Sequence, residues 1–275
     1  MRRLPYIQGM SNFISPSRIL ELQNDRGAVV LDASYAPDAY ARFLGGHIAG
    51  AQFFDIDDIA DPSSQLAHTI PSAEIFAEKV GALGIANETP VIIYGQTGIA
   101  MAAARAWWMF KAFGHEQVYI LNGGLYAWLE EGLPIATGSP ATLEPRSYQA
   151  QTPTRLATAQ QIVDTLNKDN APVILDARAQ QRFDAGHIPN SYCVPFMALL
   201  DQHGYMLPQE VLEQAFNLPK DTPIITTCGS GVTACVITLA LSEIGYENTS
   251  VYDGSWTEWT SGYSNLPSNL PVDTA

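Results

Sequence analysis

The sequence predicts an α/β protein built twice over: two successive domains, each an open parallel sheet flanked by helices on both faces. Three observations carry that expectation. Four landmarks recur in the same order in both parts of the chain. Short apolar or β-branched runs bounded by turn residues alternate with helical patterns, as a parallel sheet with crossover helices requires. And 275 residues exceed what a single hydrophobic core usually serves.

The landmarks are easily laid side by side. Val29-Val30-Leu31-Asp32 corresponds to Val173-Ile174-Leu175-Asp176, and Gly46-His47-Ile48 to Gly186-His187-Ile188. Pro90-Val91-Ile92-Ile93-Tyr94-Gly95 corresponds to Pro223-Ile224-Ile225-Thr226-Thr227-Cys228. Val118-Tyr119-Ile120-Leu121-Asn122-Gly123-Gly124 with Trp128 corresponds to Thr249-Ser250-Val251-Tyr252-Asp253-Gly254-Ser255 with Trp259. The separation shrinks from 144 residues at the first pair to 131 at the last, so the second copy has lost residues between landmarks.

In chain order, VVLD from Val29 is the first expected strand, and Ser72 opens a helix to Leu83 with Ile75 and Phe76 on its apolar face. VIIY from Val91 is a strand, Met101 to Phe113 a helix, and VYIL from Val118 a strand. Gly138, Pro140, Pro145 and Pro153 interrupt a stretch without periodicity, which places a linker at 139–153 between an N-terminal domain, 1–138, and a C-terminal one, 154–275. The second copy repeats the order: a helix from Thr158 to Leu166, the strands VILD and IITT, a helix from Val232 to Ile244, and the strand SVY ending at Tyr252. Asp32 and Asp176 are expected to cap the loops after the first strand of each copy. Trp128 and Trp259 are expected to pack helices, and Trp107-Trp108 to lie in a core.

Composition narrows the function. Fourteen basic residues against 28 acidic ones give a net charge of −14, shared between the two copies. Such a surface repels phosphate backbones and anionic lipid, which argues against nucleic-acid and membrane partners. No apolar run is long enough to span a bilayer, and the N-terminus is too polar for a secretion signal, with Met1 and Met10 both candidate starts. Three cysteines make no disulfide framework and point to a reducing, cytoplasmic compartment. Cys228 and Cys235 are seven apart with no histidine between them, so neither a metal site nor any other cofactor is expected.

One position breaks the symmetry. Where the first copy has Gly95, the second has Cys228, followed by Gly229-Ser230-Gly231-Val232-Thr233-Ala234-Cys235. The cysteine ends a parallel strand, where open α/β sheets place their sites. Gly229 and Gly231 allow successive amides to curl around one point in front of the next helix. An anion belongs there, and thiols at helix N-termini can titrate at about 3.5–7.5, against ~8.5 for a free cysteine. Cys228 is therefore the expected nucleophile, whereas Cys193, in a strand-like segment, and Cys235, inside a helix, are expected in the core.

With these residues in view, the chain resembles the two-domain rhodanese-type sulfurtransferases. The tandem copies, the LDAR and GHIP segments, the C-G-S-G-V-T-A loop and the closing DGSWTEW carry the likeness from about Ser15 to Trp259. Loops of the form C-G-S-G-V-T are associated with the 3-mercaptopyruvate sulfurtransferases of that family. The resemblance implies that each copy is a rhodanese-like domain and that Cys228 becomes a persulfide. The sulfur then passes to a thiol, a thioredoxin-like protein or cyanide, and the first domain is catalytically silent. It also implies that Ser230 polarises or protonates the donor, oriented by His47 with Asp38 as its acidic partner. The alternative reading of His47 is that it closes a turn in its own repeat, as His187 would.

The loop itself separates the two family donors. Thiosulfate is a dianion and favours cations inside the loop, but Gly229 and Ser230 provide none. A mercaptopyruvate carboxylate suits an arginine outside it, and Arg178 and Arg182 are the candidates beside Gly229, Gly231, Val232 and Thr233. The alternative for Arg178 is an ion pair with Asp176. The chain departs from related two-domain enzymes between Arg182-Phe183 and Gly186-His187, where a longer segment with another arginine is usual. Thiosulfate sulfurtransferase is the nearest competing activity. A cysteine phosphatase would need an arginine closing the loop, where Val232, Thr233 and Ala234 stand. A non-catalytic interaction module fits the first copy better than the second. The glycines lack the spacing of a dinucleotide fingerprint.

Overall fold

A computed structural model describes residues 11–98, 102–166, 168–262 and 270–274. The candidate starts Met1 and Met10, and the expected helix start at Met101, lie outside the described residues. The first domain runs β1 (Phe13–Ile14), α1 (Pro16–Arg26), β2 (Val29–Asp32), α2 (Ala39–Gly45), β3 (His47–Ile48), β4 (Gln52–Phe53), α3 (Ala73–Ala82), β5 (Val91–Tyr94), α4 (Ala102–Ala112), β6 (Val118–Leu121), α5 (Gly124–Glu130) and β7 (Ile135–Ala136). The second runs β8 (Leu156–Ala157), α6 (Ala159–Thr165), β9 (Val173–Asp176), α7 (Gln180–Asp184), β10 (Ser191–Cys193), a 3₁₀ turn (Phe196–Leu199), α8 (Gln209–Ala215), β11 (Ile224–Thr227), α9 (Ala234–Glu243), β12 (Thr249–Tyr252) and α10 (Ser255–Ser261).

The two sheets have one topology. The order β1-β6-β5-β2-β4 in the first is matched by β8-β12-β11-β9-β10 in the second, and every pair within them is parallel. The central strands β2, β5 and β11 are buried along their whole length, which explains their unbroken apolar runs. Five of the six expected strands have the expected bounds, and the sixth gains Thr249. The flanking strands β1, β4, β8 and β10 are only two or three residues long, too short to leave a period in the sequence.

Local chemistry sets the helix starts. Ser72 accepts from Ile75 N–H at the head of α3, and Thr158 forms a reciprocal capping box with Gln161 at the head of α6. Asp32 accepts from Ser34 N–H and Asp176 from Arg178 N–H, so both aspartates pin the loop after the first central strand. Trp128 Nε1 donates to Pro134 O and Trp259 Nε1 to Pro271 O, both at 2.9 Å, so the matching tryptophans fasten matching chain segments.

The domains share a core. The equivalent helices α4 and α9 pack on each other, and one apolar cluster runs from Phe76, Trp107, Trp108 and Phe110 to Cys235, Ile237 and Leu241. Trp107 and Trp108 are fully buried within it. The segment between the domains follows the first one: Arg146 N–H donates to Gly81 O, Gln151 N–H to Phe113 O, and Tyr148 is buried against His115. Among the described residues no helix is long and apolar enough to cross a membrane.

A core continuous across both domains couples their stability. Calorimetry of the intact chain should show one unfolding transition. Trp107→Ala, which empties the junction at a cost of about 3–5 kcal/mol, should lower that transition as a whole; its splitting into two would show that the domains unfold independently.

Candidate functional site

The site is built where β11 ends and α9 has not yet begun. Cys228 follows Thr227, the last residue of β11, and is only 2% exposed. Gly229, Ser230 and Thr233 beside it are half-buried. The cysteine's own backbone is fixed on both sides: its N–H donates to Ser255 Oγ at 3.1 Å, and its carbonyl accepts from Trp256 N–H at 3.1 Å. Ser255 in turn donates to Tyr252 O at 2.7 Å, from a left-handed backbone with φ 50°. Thr257 donates both N–H and hydroxyl to Gly229 O. The strand–helix turn after β12 thus holds the loop after β11.

The loop's amides are the central feature. Among the described residues, none supplies an acceptor to the N–H groups of Gly229, Ser230, Gly231, Val232, Thr233 or Ala234; the first paired amide is Cys235 N–H, on Val232 O. Gly231 makes the curl possible. Its φ is +75°, and a Cβ there would meet Asp253 O at 2.5 Å, so both the backbone angle and the space demand glycine. A run of unpaired amides at the head of α9 is an anion-binding cradle.

Gly95 shows why the first copy is different. A Cβ on it would lie 2.5 Å from Gly98 O, and its carbonyl accepts from both Gly98 N–H and Leu125 N–H. A loop of the second domain is seated on this turn, with Gly204 against Gly98 and the Tyr205 ring against Gly123. That position has no room for a cysteine side chain.

The expected partners of Ser230 do not assemble as expected. His47 is buried, donates through Nδ1 to Phe43 O (2.8 Å), stacks on Phe43 at 4.1 Å and pairs its strand with β7. His187 repeats this with Phe183 O at 3.0 Å, the Phe183 ring at 3.8 Å and a bridge to Asp273. Asp38, two-thirds exposed, pairs with Arg42 one turn on. Among the described residues, His47 and Asp38 share no hydrogen bond and neither is joined to Ser230. The turn-closing reading accounts for both histidines.

The two arginines also part company. Arg178 is buried, and its guanidinium grips Asp176 through Nε and Nη2, at 2.6 Å for the shortest contact. It also donates to Gly186 O and Arg182 O and lies 4.5 Å over the Trp256 ring. This is the ion-pair reading: the fork expected for a substrate is occupied by the domain's own groups. Arg182, exposed on α7, extends its Nη2 to within 3.5 Å of where a Cβ on Gly229 would stand. It is the cation at the loop's rim.

A different histidine–carboxylate pair is tied to the loop through the backbone, one that the repeat pattern passes over. In the segment between β4 and α3, His68 Nδ1 lies 2.6 Å from Asp57 Oδ1, and its Nε2 is 3.4 Å from Tyr35 OH. His68 has φ 62°, a conformation that a non-glycine residue holds only when its surroundings enforce it. The enforcement is visible: His68 O accepts from Arg105, and two residues on, Ile70 N–H donates to Asp253. Arg105 also donates to Gly231 O in the cysteine loop. His68 stands between landmarks, outside the segments that the repeat aligns. The usable signal was a histidine following the acid-rich run from Asp55 to Asp61.

A cavity of about 300 Å³ lies apart from this site, under the amino ends of β11 and β12, and no titratable side chain lines it.

Residues 15–131 and 158–262 each match the family described as the rhodanese-like domain. The 3-mercaptopyruvate sulfurtransferase of Rattus norvegicus is 40% identical over 251 residues, covering 84% of each chain. The thiosulfate sulfurtransferase of Bos taurus is 39% identical over 254 residues, covering 85% of each. Among solved structures, SseA from Escherichia coli, described as having the rhodanese fold of 3-mercaptopyruvate sulfotransferases, aligns with a TM-score of 0.81 and 33% identity over 90% of this chain and 99% of that one.

If His47 and His187 do the same structural work, alanine at either should cost similar stability, about 1–3 kcal/mol for a lost buried hydrogen bond and ring contact. Thermal denaturation of both variants checks this. A His47→Ala protein of unchanged stability but abolished turnover would restore the catalytic reading.

Proposed function

The chain belongs to the rhodanese-like sulfurtransferase family, and from that premise we propose that it moves a sulfane sulfur from 3-mercaptopyruvate through a persulfide on Cys228. The observation that carries the proposal is the run of acceptor-free amides from Gly229 to Ala234, with a cysteine at its head. Such a cradle suits an anion, and after transfer it would hold the anionic persulfide. The similarity alone does not choose the donor, since relatives named for either donor are equally close.

The chemistry balances as follows. The Cys228 thiolate attacks the sulfur of mercaptopyruvate, an S–S bond forms, and the C–S bond breaks. The electron pair departs with carbon as the enolate of pyruvate, and the proton that the donor's thiol sheds on becoming the anionic persulfide is returned to that carbon. Ser230 in the loop offers a hydroxyl, and His68, beside Asp57, is the histidine whose backbone is tied toward the loop through Arg105. The persulfide then surrenders its outer sulfur to cyanide or a thiol and returns Cys228 as thiolate. A thioredoxin-like protein suits the thiol role.

Donor preference follows from cation placement. Arg178 is committed to Asp176, so Arg182 alone offers a guanidinium at the rim. One arginine matches one carboxylate, while no cation lies inside the loop to hold the thiosulfate dianion. Val232 and Thr233 complete the wall between loop and α9. All three cysteines are free thiols, which fits work in the cytoplasm.

Intact-mass analysis after incubation with mercaptopyruvate should show one added sulfur atom, absent in Cys228→Ser; turnover surviving in that variant overturns the assignment. Alkylation at pH 8 should label Cys228 and spare Cys235. Burial pushes the Cys235 thiol up to about 12, with Arg105 offsetting only part of it, so that thiol stays protonated far above the assay pH. Labelling of Cys235 ahead of Cys228 would refute the cradle. Specificity, as kcat/KM, should favour mercaptopyruvate over thiosulfate, and Arg182→Ala should raise KM for mercaptopyruvate by about tenfold, as expected for a charged hydrogen bond of ~1.5 kcal/mol. A reversed donor preference would show that the neutral loop does not set specificity.

A further inference from the structure

We infer that Arg105 is a positioning residue, a buried clamp that sets the acid–base pair of the first domain in register with the cysteine loop of the second. The inference rests on the proposed role of His68 and extends it to a residue touching neither donor nor sulfur.

Arg105 projects from α4 and is fully buried, as is nearly all of its partner Asp253. Three contacts radiate from its guanidinium. Nη1 donates to Asp253 Oδ1 at 2.6 Å and to Gly231 O at 3.3 Å, and Nη2 donates to His68 O at 2.5 Å. The guanidinium lies 4.6 Å over the Trp108 ring. Asp253 uses its second oxygen to accept from Ile70 N–H at 2.7 Å. One ion pair therefore reads out both halves of the site. From the first domain it takes the carbonyl of His68 and the amide of Ile70. From the second it takes the carbonyl of Gly231, the glycine whose left-handed angle curls the loop.

The contacts fall on backbone groups, so they fix where the chain runs. His68 sits at φ 62°, and the two hydrogen bonds at His68 O and Ile70 N–H bracket that strained residue. Without them its backbone is free to relax toward an ordinary angle, swinging the imidazole relative to the loop. A guanidinium is needed because a lysine lacks the planar fork that addresses three acceptors at once. Burial works against charge on Arg105, and Asp253 and Cys235 beside it together more than offset that cost.

The two donors provide a readout that separates register from mere stability. Transfer from mercaptopyruvate leaves an enolate that requires a proton. Transfer from thiosulfate breaks an S–S bond and releases sulfite, which leaves with its electron pair and needs none. Loss of His68 register should therefore penalise the first reaction selectively. In Arg105→Gln, kcat with mercaptopyruvate should fall by about 10²-fold, the scale of a ~1 Å misplacement, while sulfur transfer from thiosulfate should change by less than about threefold. In a His68→Ala background, Arg105→Gln should lower kcat little further, because both changes remove one function. Arg105→Lys should recover only part of the loss. Should Arg105→Gln fail to fold, Asp253→Asn, which keeps the shape and removes the charge, takes its place in the same assays.

Equal losses with both donors, or full additivity with His68→Ala, would overturn the positioning role and leave Arg105 as a structural tie. A wild-type protein inert toward mercaptopyruvate would instead sink the donor reading, and this inference with it, by a different observation.

Discussion

Buried backbone amides must find acceptors, and the loop after β11 holds six in succession that the described residues leave without one. Most of the site follows from that constraint. The loop needs a glycine at 231 because only glycine takes its angle under Asp253 O. It needs an outside scaffold because it makes no ladder of its own, and α10 provides one by capping Cys228 N–H with Ser255 and Gly229 O with Thr257. It also needs an anion, and the sulfur of Cys228 lies at its head. Substrate selection, the identity of the leaving group and the role of the second domain's neighbour are all secondary to satisfying those amides.

Duplication explains how a site of this kind acquires a proton donor from elsewhere. In each domain the segment after the outer strand, β4 or β10, crosses to the partner domain, where Ile70 N–H meets Asp253 after β12 and Gly204 packs on the turn after β5. In one direction the landing buries Gly98 and Gly123 under Gly204 and Tyr205, closing a turn already too tight for a cysteine side chain. In the other it brings His68 and Ile70 to Asp253 and Arg105. The two crossings are equivalent by descent and opposite in effect. On the proposed function, the first copy does more than pack against the second, since its crossing segment carries His68.

The central strands were legible because burial on both faces writes itself as an unbroken apolar run, and the helix caps at Ser72 and Thr158 because their hydrogen bonds are local. The flanking strands were not, since two residues carry no period. The repeat also contained a lesson that the functional expectation set aside. Gly46-His47-Ile48 has a twin in Gly186-His187-Ile188, and a feature present in both copies belongs to what both copies share, the fold; the Phe43 and Phe183 contacts bear this out. Asp176 before Arg178 held a similar hint of pairing. His68 was illegible for the converse reason. It stands where the copies cannot be superposed, and its link to the loop passes through Arg105 to Gly231, more than 160 residues from its own position.

Charge placement gives the site its bias between anions. A cradle of amides is a diffuse half-charge and accepts any anion of suitable size, so it cannot by itself tell a carboxylate from a sulfonate-like group. Discrimination must come from full charges nearby, and here they are sparse. Arg178 is neutralised by Asp176, Arg105 by Asp253, and the rest of the surface is strongly acidic. Only Arg182 stands unpaired at the rim, on an exposed helix and without a carboxylate partner among the described residues. A dianion entering such a mouth loses more to the surrounding negative field than one arginine returns, whereas a monoanion that keeps its carboxylate at the rim and sends only a neutral thiol inward escapes most of that penalty. The same field works on the product side. In the proposed reaction the persulfide is the innermost anion once sulfur has been transferred, and an enolate leaving beside it is repelled until it takes up a proton. The demand for a well-registered histidine is therefore set by the site's own electrostatics.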